Sequence, residues 1–86
     1  MLLAVDVGNT NIVLGVFDLR KGASSQILHS WRLATSRERT ADEYGLSTLA
    51  LLRHRGIETA DIHHVAISSV VPPLHPVLTG WSRTYF

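Results

Sequence analysis

Six residues near the start of the chain, Asp6-Val7-Gly8-Asn9-Thr10-Asn11, place a carboxylate, a glycine and three small polar side chains directly after the apolar run Leu2–Val5. An ionised carboxylate at the end of a buried strand is costly unless a cation or hydrogen-bond donors meet it. Magnesium suits that role, because it takes one or two protein carboxylates and completes its shell with water and substrate phosphates. Gly8 lets the backbone bend sharply and a phosphate come close. Asn9, Thr10 and Asn11 add side-chain donors beside main-chain N–H groups that a tight turn gathers into an anion nest. The segment therefore suits a phosphate-cradling hairpin with a metal held near Asp6. It has neither the G-x-x-x-x-G-K-[ST] spacing of a P-loop nor G-x-G-x-x-G, so those two schemes do not apply. The same six residues also suit an ordinary Asn/Gly turn whose aspartate caps a backbone N–H. Residue types alone leave both readings open.

The elements that must hold this segment follow from patterning. Leu2–Val7 is apolar apart from Asp6, as in a strand buried on both faces, and Ile12–Asp18 is a second such run. The four residues between them force an antiparallel hairpin. Leu19–Gln26 supplies a Gly/Ser turn. From Ile27 the chain alternates, with Ile27, His29, Trp31 and Leu33 on one face of a more exposed third strand. Thr40 is a good N-cap, Asp42 and Glu43 fill the first helical turn, and Glu43 stands at the capping-box position. Arg53, His54 and Arg55 fill the last turn before Gly56. A helical wheel predicts that Gly45, Leu46, Leu49 and Leu52 pack on the sheet, leaving Tyr44 and Leu51 as scattered exposed residues on the other side.

His63–Val71 reads as a fourth strand, and a strand–helix–strand order implies a parallel, right-handed addition. Pro72 and Pro73 end it, and a second helix runs through Leu74–Phe86 with Gly80 as its weak point. The fold class is thus α/β, in the order β-β-β-α-β-α. Doubly wound folds alternate strand and helix from the outset and do not begin this way. The order matches the opening half of a ribonuclease-H-like, actin-type fold, so residues 1–86 are expected to form part of one such domain.

Outside the hairpin, Ser68 and Ser69 lie at the C-terminal end of the parallel strand, where open α/β sheets collect ligands, and are candidates for lining the cleft. Hydroxyls satisfied by backbone at a strand end explain them equally well. His63 and His64 are adjacent on a strand and point to opposite faces, while His54 and His75 lack partner spacing, so a zinc site is not expected. Arg37 and Arg39 flank Glu38 as a solvated charge run, and Trp31 reads as core packing.

Composition removes several classes. The chain is 45% hydrophobic and 17% charged, which is globular rather than disordered. At 86 residues it buries only roughly 60% of its unfolded surface and would be marginal alone. A net charge of +1 offers no basic field for nucleic acid or anionic lipid. The absence of cysteine excludes a disulfide scaffold and suits a reducing compartment. No apolar run approaches the roughly 18 residues of a membrane span, and the N-terminus lacks the basic region of a signal peptide.

Taken jointly, the segments MLLAVDVGNTNIVLGVFD, WRLATSRERTADEY and ISSVVPPL resemble type III pantothenate kinases, members of the superfamily that includes acetate and sugar kinases, heat-shock chaperones and actin. The resemblance covers the whole chain. It implies ATP-dependent phosphorylation of pantothenate, the first step toward coenzyme A, with Asp6, Val7, Gly8, Asn9, Thr10, Asn11, Ile12 and Val13 contacting ATP and Asp6 near Mg²⁺ through water. It further implies a monovalent cation (K⁺ or NH₄⁺), a cytoplasmic homodimer, and no nucleic-acid or membrane partner. In the family a glycine-x-aspartate-arginine segment bearing the catalytic aspartate and a second phosphate motif come later, so the general base is expected beyond residue 86. The chain is accordingly read as an N-terminal fragment, inactive by itself. Two alternatives from other classes are a non-catalytic relative of the Bvg accessory factors and an inactive truncated remnant.

Overall fold

The computed structural model describes residues 1–24 and 26–86, so the expected Gly/Ser turn lies partly outside the described residues at Ser25. Strands β1 (Leu2–Val7), β2 (Asn11–Phe17), β3 (Ile27–Ala34) and β4 (His64–Ser69) form one sheet in the order β3-β2-β1-β4. β1 pairs antiparallel with β2 and parallel with β4, and β2 pairs antiparallel with β3. This is the sheet the sequence implies, with the hairpin strands shifted so that Asn11 opens β2. Helix α1 (Ala41–His54) makes the crossover to β4, and α2 (His75–Tyr85) comes after it, beyond a short 3-10 turn at Pro72–Leu74. Pro76 sits in the first turn of α2, where its missing N–H costs nothing.

The two faces of the sheet have different fates. Leu3, Val5, Val7, Ile12, Leu14 and Val16 are buried in one cluster with Tyr44, Leu52, Leu74, Leu78 and Trp81, so the helices cover that face. On the other face Ala4, Asp6, Val13, Gly15, Phe17, Ile27, Ala66 and Ser68 line an open groove of about 370 Å³. Trp31 is half-buried against the core as its strand position implies, but Ile27 leaves the face of Trp31 and Leu33 for the groove, because the β2–β3 register shifts between Val16 and Phe17.

The ends of α1 are closed as its sequence requires. The Glu43 N–H donates to Thr40 Oγ1 at 3.2 Å while Glu43 Oε1 accepts the Thr40 N–H at 3.0 Å, a complete capping box. At the other end the Gly56 N–H donates to Arg53 O at 2.9 Å and the Ile57 N–H to Leu52 O at 3.0 Å. Gly56 takes φ 73°, a left-handed conformation that a side chain would strain, and buried Ile57 is brought beside Leu52.

The packing face of α1 corrects the wheel. Leu46 is 63% exposed, whereas Tyr44 is 1% exposed and Gly45, Thr48 and Leu52 are buried with it. Leu51, expected among the exposed residues, is half-buried against the core. Gly45 and Leu52 are buried as the wheel implies, but Tyr44 and Thr48 complete the buried face in place of Leu46 and Leu49, which are exposed and half-buried. The Thr48 hydroxyl donates to Tyr44 O at 2.8 Å and so enters the core already satisfied. Gly45 gives room to α2: the Tyr85 ring occupies the space a Cβ there would take, and Tyr85 OH donates to Asp42 Oδ1 at 2.6 Å. That bond holds the Tyr85 phenol above its ordinary range, helped by partial burial and by the charge of Asp42.

Candidate active site

β1 carries Asp6 to the end of the sheet, one residue before the bend, with Val13 and Ser68 as its cross-strand neighbours. The strand alternation that buries Val5 and Val7 turns Asp6 onto the open face. Asp6 is exposed and, among the described residues, its carboxylate has no partner. Ser68 opens into the same groove beside it. Ser69 points the other way along the strand: its hydroxyl accepts the Val71 N–H at 3.0 Å and closes the exit turn, the local role that a strand-end serine often has. The two serines therefore separate, and only Ser68 shares the groove with Asp6.

The hairpin is closed by the Gly8 N–H donating to Asn11 O at 2.9 Å. The Gly8 and Thr10 carbonyls are taken from the side of β3. Thr35 Oγ1 donates to Gly8 O at 2.7 Å, and the Thr35 N–H donates to Thr10 O at 2.9 Å. Among the described residues nothing accepts the Asn9 or Thr10 N–H, and both residues are exposed with their side chains unpartnered. The bend thus leaves two main-chain donors open while the Gly8 and Thr10 carbonyls are occupied, which is the polarity an anion needs. A Cβ on Gly8 would lie 3.2 Å from Asn11 O, so the turn is tight at that residue.

Of the eight hairpin positions read as contacting a nucleotide, Val7 and Ile12 place their side chains in the core and can offer only main-chain groups. Val13 is half-buried and lines the groove with Asp6. Residue patterning gave no hint of Thr35, a hydroxyl just past the end of an exposed strand, because its contacts appear only once β3 is laid beside β2 in register.

A second set of ionisable groups lies at the opposite end of the sheet. Met1, Asp18, Leu19, Arg20, Asp61, His63 and His64 line a groove of about 350 Å³. Here most of the groups are engaged with one another or with backbone. Arg20 Nη2 lies 2.7 Å from Asp18 Oδ2, and Asp18 Oδ1 also accepts the Arg20 backbone N–H at 3.0 Å. The hydrogen bond and then the charge of Asp18 hold the Arg20 guanidinium above its ordinary range. The Met1 ammonium donates to Asp61 O at 2.7 Å and lies 3.0 Å from His63 Nδ1. Among the described residues no group of three His, Cys, Asp or Glu side chains is placed to hold a metal ion.

A mixed sheet with an antiparallel hairpin and one parallel addition crossed by a helix is the opening part of a ribonuclease-H-like fold. Its backbone superposes on T. thermophilus RuvC, solved in complex with a Holliday junction substrate, with a TM-score of 0.50 at 22% identity, covering 98% of this chain and 53% of that one. That likeness concerns the fold alone.

Sequence comparison places the chain more closely. The family model for type III pantothenate kinase matches residues 2–86, and the chain belongs to that family. It is 51% identical over 86 residues to the type III pantothenate kinase of Myxococcus xanthus (strain DK1622), covering 100% of this chain and 32% of that protein. The corresponding enzyme of Geobacillus kaustophilus (strain HTA426) is 46% identical over 86 residues, with 100% of this chain and 31% of that protein covered. The chain thus spans about a third of the length of these curated relatives. No helix among the described residues is long and apolar enough to cross a membrane.

Proposed function

We propose that this chain forms the ATP-side part of a pantothenate kinase, a protein that transfers the terminal phosphoryl group of ATP to the hydroxyl of pantothenate. The observation that carries the reading is the bend itself: among the described residues, unpartnered amides at the exposed Asn9 and Thr10 stand near an exposed, unpartnered carboxylate at Asp6. Phosphoryl transfer asks mostly for positioning and charge neutralisation. The amides orient phosphate oxygens, Gly8 keeps the approach clear, and Asp6 faces the open groove with Ser68 at its side. Mg²⁺ fits this donor set, Asp6 holding its hydrated ion through water, and when bound it neutralises charge on the phosphates. Family membership, rather than any residue seen in this chain, supports pantothenate as acceptor, a potassium or ammonium ion as further cofactor, a homodimer and a cytoplasmic setting. The general base belongs to the two-thirds of the relatives' length that this chain does not span.

The test uses full-length protein carrying these residues. Pantothenate-dependent ADP release that needs Mg²⁺ and falls at least tenfold in Asp6→Asn supports the reading. No pantothenate-dependent release, or release indifferent to Asp6→Asn, contradicts it.

A further inference from the structure

We propose that Thr35 is a positioning residue for the nucleotide phosphates, acting by aiming the amides of the hairpin; this rests on the reading of the bend as a phosphate cradle. A trans peptide is planar, with its C=O and the following N–H pointing in opposite directions. Thr35 Oγ1 holds the Gly8 carbonyl from the β3 side at 2.7 Å, so the Asn9 N–H in that same peptide plane is turned away from β3 and outward. The Thr35 N–H holds the Thr10 carbonyl at 2.9 Å. One residue therefore removes two carbonyl dipoles from the face where an anion would sit and directs one donor onto it. Left unpinned, either peptide could rotate and offer an oxygen to the phosphate, which is repulsive.

Thr35 is itself fixed through its chain neighbour Ser36. The Ser36 N–H donates to Tyr44 Oη at 2.9 Å, and Tyr44 Oη donates to Ser36 O at 2.6 Å, so Ser36 is clamped at both main-chain groups. Tyr44 is buried in the core with its ring under the Arg39 guanidinium, 5.6 Å from the centroid. The helix α1 thereby braces the phosphate bend from across the sheet, through Tyr44, Ser36 and Thr35 in turn. This also accounts for an aromatic on the face of α1 where an aliphatic residue would pack as well.

The test compares Thr35→Val, which keeps the shape and the backbone N–H but removes the hydroxyl, with Thr35→Ser, which restores it. Both are made in the full chain and studied by calorimetry with Mg-ATP, by thermal unfolding and by ¹⁵N relaxation of the free protein. Thr35→Val should weaken Mg-ATP binding about 5–10-fold while Thr35→Ser stays within about twofold of the parent. In the free protein Thr35→Val should lower the Asn9 order parameter, and Thr35→Ser should not. A purely structural hydroxyl would lower the unfolding temperature of Thr35→Val and leave both the affinity and the Asn9 amide unchanged, which would overturn the proposal. If the parent chain itself binds no Mg-ATP, the phosphate reading fails. The Asn9 order parameter then still decides whether Thr35 aims the bend, and an unchanged value sinks that claim too.

Discussion

The two ends of the sheet carry grooves of similar size but very different equipment, several ionisable groups at one end and Asp6 with the bend amides at the other. At the start of β1 and β4, Asp18, Arg20, Asp61, His63 and the Met1 ammonium are engaged with one another or with backbone. At the far end Asp6 and the Asn9 and Thr10 amides have no partner among the described residues. The grooves are alike in size, about 350 and 370 Å³. Volume does not separate the two ends, and ionisable groups are the denser at the engaged one. What separates them is hydrogen-bonding capacity that the fold leaves open and holds in one orientation, since paired groups already have their partners.

Substitutions at the two ends should come apart accordingly, and the largest effect is expected at Asp6. Asp6→Asn should weaken Mg-ATP binding about 10–100-fold, as loss of a group acting on a metal through water does. Because Asp6 is exposed and unpaired, its unfolding free energy in urea should stay within about 0.5 kcal/mol of the parent. At the other end Asp18→Ala removes the acceptor of the Arg20 backbone N–H, and should cost about 1–2 kcal/mol in urea unfolding while leaving Mg-ATP affinity unchanged. A fall in affinity there would break the distinction between the ends.

Gly45→Ala acts on the scaffold common to both. The new methyl meets the Tyr85 ring, a cost of about 1–3 kcal/mol that the better helix propensity of alanine offsets by about 1 kcal/mol. A net loss of about 1 kcal/mol in urea unfolding is expected. The smallest effect concerns Tyr85, whose phenol is held above the ordinary value of 10.0 chiefly by its bond to Asp42. A folded value raised in this way contributes stability that is present below pH 10.0 and is lost as pH rises through the folded value. Ultraviolet titration should show one phenol ionising late in the parent and returning toward the ordinary range in Asp42→Ala.

Much of the scaffold was legible because its signals are local. The continuous apolar runs of β1 and β2 reflect strands flanked by others, and Thr40, Glu43 and Gly56 announce the ends of α1 through side-chain and φ requirements that act within a few residues. Asp6 was legible for a related reason, as a carboxylate out of place in an apolar strand. The face of α1 was legible at Gly45 and Leu52 and misjudged at Tyr44 and Leu46, because burial there is decided across space. Tyr44 is drawn into the core while its hydroxyl is taken up by both main-chain groups of Ser36, outside the helix. Thr35 was silent for the same reason: its hydroxyl acquires meaning from Gly8, on another strand. Single-residue chemistry and nearest-neighbour spacing reach the bend but not the bracing behind it.

The central claim is that an anion docks on the bend joining β1 to β2, and a titration of ¹⁵N-labelled chain with Mg-ATP addresses it amide by amide. The account predicts that the Asn9 and Thr10 resonances move first and farthest, while Arg20, Asp61 and His63 stay in place. Saturable shifts centred on Arg20, Asp61 and His63, or an unmoved Asn9 and Thr10 at saturating Mg-ATP, would contradict it.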